Sequence, residues 1–346
     1  MLNVKKIKNY IFIFANNNFI CCVWKKEDVG TATTTSAKGP RIIKLSHVFQ
    51  VNEPLHQSIE ATTKKINEKL IGQIEIQVYP NGELPSYKDG VEQVVRGTDF
   101  ISVEDPTYIG DYVPDFTAIV GPMLYDSYEE YEGMVKTEFV KGLKKQAEEK
   151  GIKVLALDYL FGFRNIVSNR DIVNPEDLKG LKIRVPMSKL FIETFNDLGA
   201  NPVGMPWSET ISALQQNVID GLEGSYATMA PNKIWELRKN VALSKHFLGT
   251  CGVYISTNVW DSFTDEQRKV IAEEFAIGAK LNNENLKKLD EVFVKEMKDN
   301  GMKFNEINRP AFVARTKKIY ETFPGFTPGI FEILQEELKK IRKEEK

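Results

Sequence analysis

The first regular part of the chain alternates between segments typical of buried strands and segments typical of helices. Three strand-like runs, at residues 41–49, 74–80 and 98–104, are separated by helical patterns that begin at Pro54 and Tyr87. Apolar residues recur at helical spacing in the intervening segments and alternate in the second strand. This order favours a parallel sheet with helices on its faces. The sequence therefore predicts a protein of the α/β class.

The rest of the chain continues this pattern. The further predicted elements are a long helix at 128–151, strands at 152–159 and 163–169, a short helix at 174–180 with Asn174 as its N-cap, a strand at 180–186, a helix at 189–199, an extended segment at 201–206, a helix from Ser208 as cap, a long charged helix at 264–300, an extended segment at 302–307 and a helical C-terminal region. We exclude residues 1–40 from the folded part.

The N-terminal segment resembles an export signal, because lysines precede an apolar stretch. Three asparagines interrupt that stretch, so a mis-assigned start or a degraded signal is the alternative. Ile20 before Cys21 fits a lipid-anchor signal poorly. Residues 30–40 are rich in threonine and small residues, which is typical of a tether leading into a mature domain.

Composition excludes several classes of function. A net charge of −2 over 346 residues gives no support for binding nucleic acid, so any anion site must be local. Three cysteines cannot form a disulfide framework, and with three histidines they show no zinc-type spacing. We expect Cys251 to be a small buried core residue. The sequence predicts no metal and no cofactor.

The common catalytic motifs are also missing. The chain has no dinucleotide-binding glycine motif after a strand, no phosphate-binding P-loop, no HExxH and no GxSxG. We therefore predict that the protein is not an enzyme.

A short strand, Gly180–Pro186, places Arg184 just before the proline that ends it. Ligands of open α/β sheets bind at the carboxyl ends of strands, and a planar guanidinium suits a carboxylate. An exposed arginine, or one paired with an internal acid, is the alternative.

Four segments in a fixed order carry a family resemblance: FGFRNIVSN, NPEDLKGLKIRVP, LGANPVGMPWSE and ALQQNVIDGLEG. Together they resemble the DctP-type substrate-binding proteins of TRAP transporters. The resemblance implies a two-lobe periplasmic-binding-protein (Venus flytrap) fold with a cleft between the lobes and a long helix that spans both. On this basis we expect lobe I at residues 41–161 plus 250–290, and lobe II at 162–249 plus 291–346.

The resemblance also implies the ligand contacts. Arg184 corresponds to the family arginine that forms a salt bridge with the ligand carboxylate. Arg164, 20 residues earlier, corresponds to a second arginine, although it could instead pair with Glu104 or another acid. Glu104 corresponds to a ligand-facing glutamate of the family, and Trp207 corresponds to an aromatic residue that flanks the ligand. The alternatives are that Glu104 pairs with Arg164 and that Trp207 packs between the lobes.

Two positions depart from the sialic-acid-binding members. Gly224 stands where many members have an asparagine, and Met187 stands where sialic-acid binders have one. We therefore expect a smaller or different acid. Tyr226 could replace the missing polar contact, and His47 could border the pocket, although a core histidine is the alternative.

The implied function is capture of an organic acid, such as a C4-dicarboxylate, keto acid or sugar acid, outside the cytoplasm. The protein, a periplasmic or extracytoplasmic monomer that could be tethered by its N-terminus, would deliver the acid to the small and large subunits of a sodium-driven permease. A sensor module that presents the same acid to a signalling receptor is the alternative, and an enzyme on the same fold is a third.

Overall fold

Two strands of 17 residues each cross the centre of the sheet and pair antiparallel. They are β4 (Ile152–Ser168) and β8 (Asn240–Ser256). The structure, a computed structural model, describes residues 39–344, so the predicted export segment lies almost wholly outside the described residues. Because both strands are long and almost wholly buried, they connect the two ends of the sheet.

The other elements flank this pair. The remaining strands are β1 (Arg41–Ser46), β2 (Ile74–Tyr79), β3 (Phe100–Glu104), β5 (Lys182–Val185), β6 (Asn201–Gly204), β7 (Gly221–Gly224) and β9 (Lys303–Asn305). The helices are α1 (Pro54–Lys69), α2 (Tyr87–Val95), α3 (Asp115–Ala118), α4 (Tyr128–Met134), α5 (Glu138–Glu149), α6 (Lys189–Asp197), α7 (Trp207–Gln215), α8 (Tyr226–Met229), α9 (Thr257–Asp261), α10 (Asp265–Asp299), α11 (Arg309–Thr316), α12 (Ile319–Thr322) and α13 (Ile330–Glu344). Short 3₁₀ helices lie at Pro106–Tyr108, Pro175–Leu178 and Ile234–Glu236.

The sheet order is β2-β1-β3-β8-β4-β7-β5-β6, with β9 paired to β8. The expected parallel arrangement is confirmed at each end, where β2, β1 and β3 are parallel and β7, β5 and β6 are parallel. The centre differs, because β8 is antiparallel to both β3 and β4. The sheet is therefore mixed, with a parallel α/β unit on each side of an antiparallel centre.

The predicted long helix is confirmed as α10, with Thr264 as its N-cap and a capping box to Gln267. Residues from both halves of α10 are part of the hydrophobic core. Phe275 packs with the core around β1 and α1, and Met297 packs with the core around α7 and α8. Helix α10 therefore spans both sides of the sheet. None of the helices formed by residues 39–344 combines the length and apolar character needed to cross a bilayer.

The predicted helix at 128–151 is wrong as a single element. It consists of α4 and α5, with a break between Met134 and Glu138. The Thr137 hydroxyl accepts a hydrogen bond from the Val140 N–H and so caps a new helix. The periodicity of apolar residues continues across this break, which explains the error.

Two predicted strands, at 152–159 and 163–169, form the single strand β4. Gly162 has a φ of 106°, and the register with β8 shifts between Leu160 and Gly162. The glycine therefore makes an irregularity within the strand and not a corner between two strands. Most of β8 was not predicted.

Of the two predicted helix N-caps, Asn174 is confirmed and Ser208 is wrong. The short helix after Asn174 is confirmed as a 3₁₀ helix with a capping box. Ser208 is not the cap of α7, which begins at Trp207 after Pro206. The Trp207 N–H donates to the hydroxyl of Tyr87 at 2.8 Å, so a distant side chain replaces the local cap.

Replacing Gly278 in α10 by alanine tests the packing of α10 against α1 and β4. A Cβ there would lie 2.1 Å from Thr62 Oγ1 and 2.4 Å from the Tyr159 hydroxyl oxygen. Glycine to alanine in a helix normally stabilises by about 1 kcal/mol. We expect Gly278→Ala instead to lower the free energy of unfolding by about 1–3 kcal/mol, because the site is overpacked. Urea unfolding measures this.

Gly142→Ala in α5 is the matched control. It is exposed, and an added Cβ would meet nothing within 4 Å. This variant should be slightly more stable than the wild type. Equal stabilisation by both substitutions would contradict the tight contact between α10 and its neighbours.

Candidate functional site

A buried pocket lies where the carboxyl ends of β3, β5 and β7 face the loop after β1. It holds about 540 Å³ of empty space, counting the solvent at its mouth. The strands contribute charged side chains, and the wall also contains aromatic rings. The lining residues used below are Glu53, Tyr87, Glu104, Asp105, Tyr108, Arg164, Arg184, Trp207, Glu223, Gly224 and Thr228.

Arg184 is a buried cation without a carboxylate partner within the described residues. Its side chain is held by Met205, whose carbonyl oxygen accepts from Nε at 3.1 Å and from Nη2 at 2.9 Å. Its guanidinium carbon lies 5.3 Å from the centroid of the Trp207 ring. Burial lowers the pKa of Arg184 below its usual range. The residue is 2% exposed, so its fixed positive charge is removed from water and faces the pocket.

Arg164 differs because it has a carboxylate partner. Its Nε and Nη2 both donate to Glu223, which is fully buried on β7. Burial opposes ionisation of Glu223, but the Arg164 charge more than offsets it and lowers the pKa of Glu223 to about 2. His246 Nε2 lies 3.4 Å from the same carboxylate, which can only accept, so Nε2 carries the proton. This pair fixes Arg164 and leaves its Nη1 free of described partners.

Three further acids line the pocket. Burial raises the pKa of Glu53 and of Glu104 to about 8, and that of Asp105 to about 6. At neutral pH the two glutamic acids are therefore mostly protonated, whereas Asp105 is mostly ionised, and the nearby charge of Arg164 partly offsets the effect of burial on its pKa. The positive charge of Arg184 is not paired with a carboxylate within the described residues. In residues 39–344, no group of three or more His, Cys, Asp or Glu side chains is placed to hold a metal ion.

Hydrogen bonds cross the pocket between the two sides of the sheet. The Tyr87 hydroxyl accepts a hydrogen bond from the Trp207 N–H, and the Tyr87 N–H donates to Glu104 at 2.6 Å. Trp207 Nε1 donates to Glu53 at 2.9 Å, and Asn52 Nδ2 donates to the Pro231 carbonyl at 3.0 Å. The φ of Tyr87 is 56°, an unusual value for a residue with a side chain, and it lets one residue make both contacts.

Five of the eight residues chosen from the sequence share this pocket: Arg184, Arg164, Glu104, Trp207 and Gly224. The alternative expected for Arg164, pairing with Glu104 or another acid, is observed with Glu223 and not with Glu104. Cys251 is buried as expected and also touches the pocket.

The structure places the other three residues elsewhere. Met187 is 45% exposed and lines a separate groove beside Lys88. Tyr226 lines a groove with Phe163 on the opposite face of β4 from Arg164, since neighbours on a strand point to opposite faces. His47 is fully buried and accepts the Phe49 N–H behind the pocket wall. We leave all three out of the proposed contacts.

Sequence reasoning missed Glu53, Tyr87, Tyr108, Glu223 and His246. Glu223 lies in the DGLEG residues at 220–224, which are part of the family resemblance, so the sequence did contain a signal for a site residue at this position. Glu53 stands directly before Pro54 and is indistinguishable in sequence from an ordinary helix start. Its side chain does not cap α1 but turns towards the pocket.

Replacing Glu223 by glutamine tests whether the buried ion pair holds Arg164. Loss of the carboxylate leaves the Arg164 charge buried and unpaired, and breaking such a pair costs about 3–5 kcal/mol. We expect Glu223→Gln to lower the free energy of unfolding in urea by an amount of this order. Glu284→Gln is the control, because its ion pair with Lys280 is exposed and should change little. Similar small effects for both variants would contradict this role of Glu223.

Comparisons with known proteins agree with this architecture. Residues 45–324 match the family model for DctP, the bacterial extracellular solute-binding proteins of family 7. A C4-dicarboxylate-binding periplasmic protein from Rhodobacter capsulatus is 29% identical over 78% of this chain and 81% of its own length.

Two solved structures are more similar. A TRAP periplasmic solute-binding protein from Fusobacterium nucleatum, with bound sn-glycerol-3-phosphate, is 47% identical with a TM-score of 0.86. One from Desulfovibrio salexigens, in complex with diglycerolphosphate, is 49% identical with a TM-score of 0.86. In each case the match covers 88% of this chain and 99% of the other. The chain has the two-lobe fold of these proteins, and it belongs to the DctP family of TRAP-type extracellular solute-binding proteins.

Proposed function

We propose that the protein captures a small organic anion in this pocket through Arg184, with Arg164 as a second contact. The observation that carries the proposal is the buried charge of Arg184, which has no carboxylate partner within residues 39–344. An unpaired buried charge is costly, and a bound anion would remove that cost. The free Nη1 groups of the two arginines are available as donors to the anion.

The ligand class that we propose is a glycerol phosphate. Support comes from the two solved relatives that are nearly half identical and have sn-glycerol-3-phosphate and diglycerolphosphate bound. A phosphate group presents several acceptor oxygens in different directions, which suits donors from two arginines on different strands. A carboxylate, the class expected from sequence, is the second candidate, supported by the C4-dicarboxylate-binding relative.

The two lobes would close around this ligand. We keep the division into lobe I, residues 41–161 plus 250–290, and lobe II, residues 162–249 plus 291–346. Strands β4 and β8 and helix α10 then cross between the two lobes. The hydrogen bonds of Trp207 to Tyr87 and Glu53 would then join the lobes in a closed form. Closure removes water from the anion and so strengthens its contacts with the arginines.

We further propose that the protein acts outside the cytoplasm as a monomer and delivers its ligand to a sodium-driven permease with small and large subunits. Membership of the family supports this role over that of a sensor. Uptake of labelled glycerol phosphate by vesicles containing the cognate permease should require the added protein and a sodium gradient. Uptake without the protein would contradict the delivery step.

Substitutions at Arg184 test the binding proposal. Arg184→Ala should weaken binding of sn-glycerol 3-phosphate by about 30-fold or more, since truncating one partner of a buried charge pair costs about 2–5 kcal/mol. Arg184→Lys keeps the charge but loses the planar fork, so an intermediate loss is expected. Isothermal titration calorimetry measures both affinities.

Arg315→Ala is the control, because Arg315 pairs with Glu176 on the surface, away from the pocket. It should bind the phosphate like the wild type. Circular dichroism shows whether each variant is folded. A folded Arg184→Ala variant that binds within a few-fold of the wild type would contradict the proposed anion contact. Tighter binding of succinate than of glycerol phosphate by the wild type would favour the carboxylate candidate.

A further inference from the structure

Glu53 occupies an unusual position for a buried acid. It stands at the N-cap of α1, where a side chain normally accepts from the first N–H groups of the helix. Its side chain makes no such bond and lines the pocket instead. The residue is 1% exposed, so its carboxyl group has been removed from water.

The two oxygens of this carboxyl group have different surroundings. Oε1 accepts from Trp207 Nε1 at 2.9 Å and from Asn232 Nδ2 at 2.8 Å. Oε2 is buried and has no hydrogen-bond partner within the described residues. Buried polar atoms in native proteins are nearly always paired, so an unpaired one in a ligand pocket points to a partner on the ligand.

The local charges favour a neutral carboxylic acid. Burial raises the pKa of Glu53 to about 8, although the hydrogen bonds from Trp207 and Asn232 and the charge of Arg184 oppose this. With both donors on Oε1, the proton resides on Oε2, which is then an O–H donor. Besides Arg184, the other charged or titratable groups that line the same pocket are Arg164, Glu223, Glu104, Asp105, Tyr87, Tyr108 and Cys251.

We propose that Glu53, through Oε2, binds a hydroxyl group of the ligand, so that the pocket selects hydroxylated anions over their deoxy analogues. The inference rests on the proposed function, because Arg184 and Arg164 hold the anionic group. A second unpaired atom, the Tyr108 hydroxyl, lies in the same pocket and is available to the remaining oxygens. Anion and hydroxyl are thus recognised by different side chains.

Two phosphates that differ only in their hydroxyl groups provide the test: sn-glycerol 3-phosphate and n-propyl phosphate. The wild type should prefer the first by at least about fivefold, because n-propyl phosphate leaves the buried Glu53 Oε2 without a partner. Glu53→Ala should reduce this preference by about fivefold, and any remaining preference would come from the second hydroxyl group. Glu53→Gln keeps an acceptor and a donor in place and should retain most of the wild-type preference.

The pH dependence gives an independent measure. If binding requires protonated Glu53, a group titrating near pH 8 implies a loss of about tenfold in affinity between pH 7 and pH 9. Binding is thus strongest below the pKa and falls above it. Glu53→Gln cannot ionise and should lose less affinity over this range. Glu274→Gln, a buried acid on α10 outside the pocket, is the control and should behave as the wild type.

Two further outcomes would contradict the role of Glu53, and a third would contradict the proposed function. If Glu53→Ala weakens both phosphates by the same factor, Glu53 only joins the two sides of the pocket and the inference is wrong. Tighter binding by Glu53→Gln than by the wild type at pH 7 would show an ionised, repelling carboxylate and also overturn it. A wild-type protein that binds neither these phosphates nor succinate would instead refute the proposed function.

Discussion

Two guanidinium groups lie in one buried pocket, and the described residues supply only one of them with a carboxylate. Arg164 is held by Glu223, whose own position is supported by His246. Arg184 is held by a carbonyl oxygen and an aromatic ring, which orient its charge without neutralising it. A protein that buries a cation in this way needs a partner of opposite charge. The pocket therefore has the electrostatics of a receptor for anions.

The fold explains why these side chains meet. Arg164 lies on the long central strand β4, and Glu223 lies on the neighbouring strand β7 opposite Ile166, two residues from Arg164. Arg184 is on β5, which is parallel to β7, so its side chain reaches the same end of the sheet. Residues from the other side, Glu53 and Tyr87, complete the pocket through Trp207. A pocket made from both sides of one sheet can couple ligand contacts to closure.

The strongest local patterns predicted much of this arrangement. Arg184 before a strand-ending proline and the motif order around it identified the family and five of the residues that line the pocket. The contacts of Glu53 depend on side chains more than 150 residues away, and no local pattern encodes them. The same limit applies to Tyr226, which sequence proximity placed beside Gly224 but whose side chain lies on the other face of the sheet. Most of β8 was missed because residues 246–256 are all buried, so this strand shows no alternation between apolar and polar positions.

The polarity of the pocket also refines the expected ligand. Buried neutral acids beside a paired and an unpaired arginine provide both hydrogen-bond donors and a positive charge. A small anion that also carries hydroxyl groups satisfies more of these atoms than a plain acid does.

A crystal structure of the protein grown with sn-glycerol 3-phosphate tests the central claim most directly. We predict density for the ligand in this pocket, with phosphate oxygens within hydrogen-bonding distance of Arg184. An anion bound elsewhere, or a ligand in the pocket whose charged group does not contact Arg184, would contradict the account.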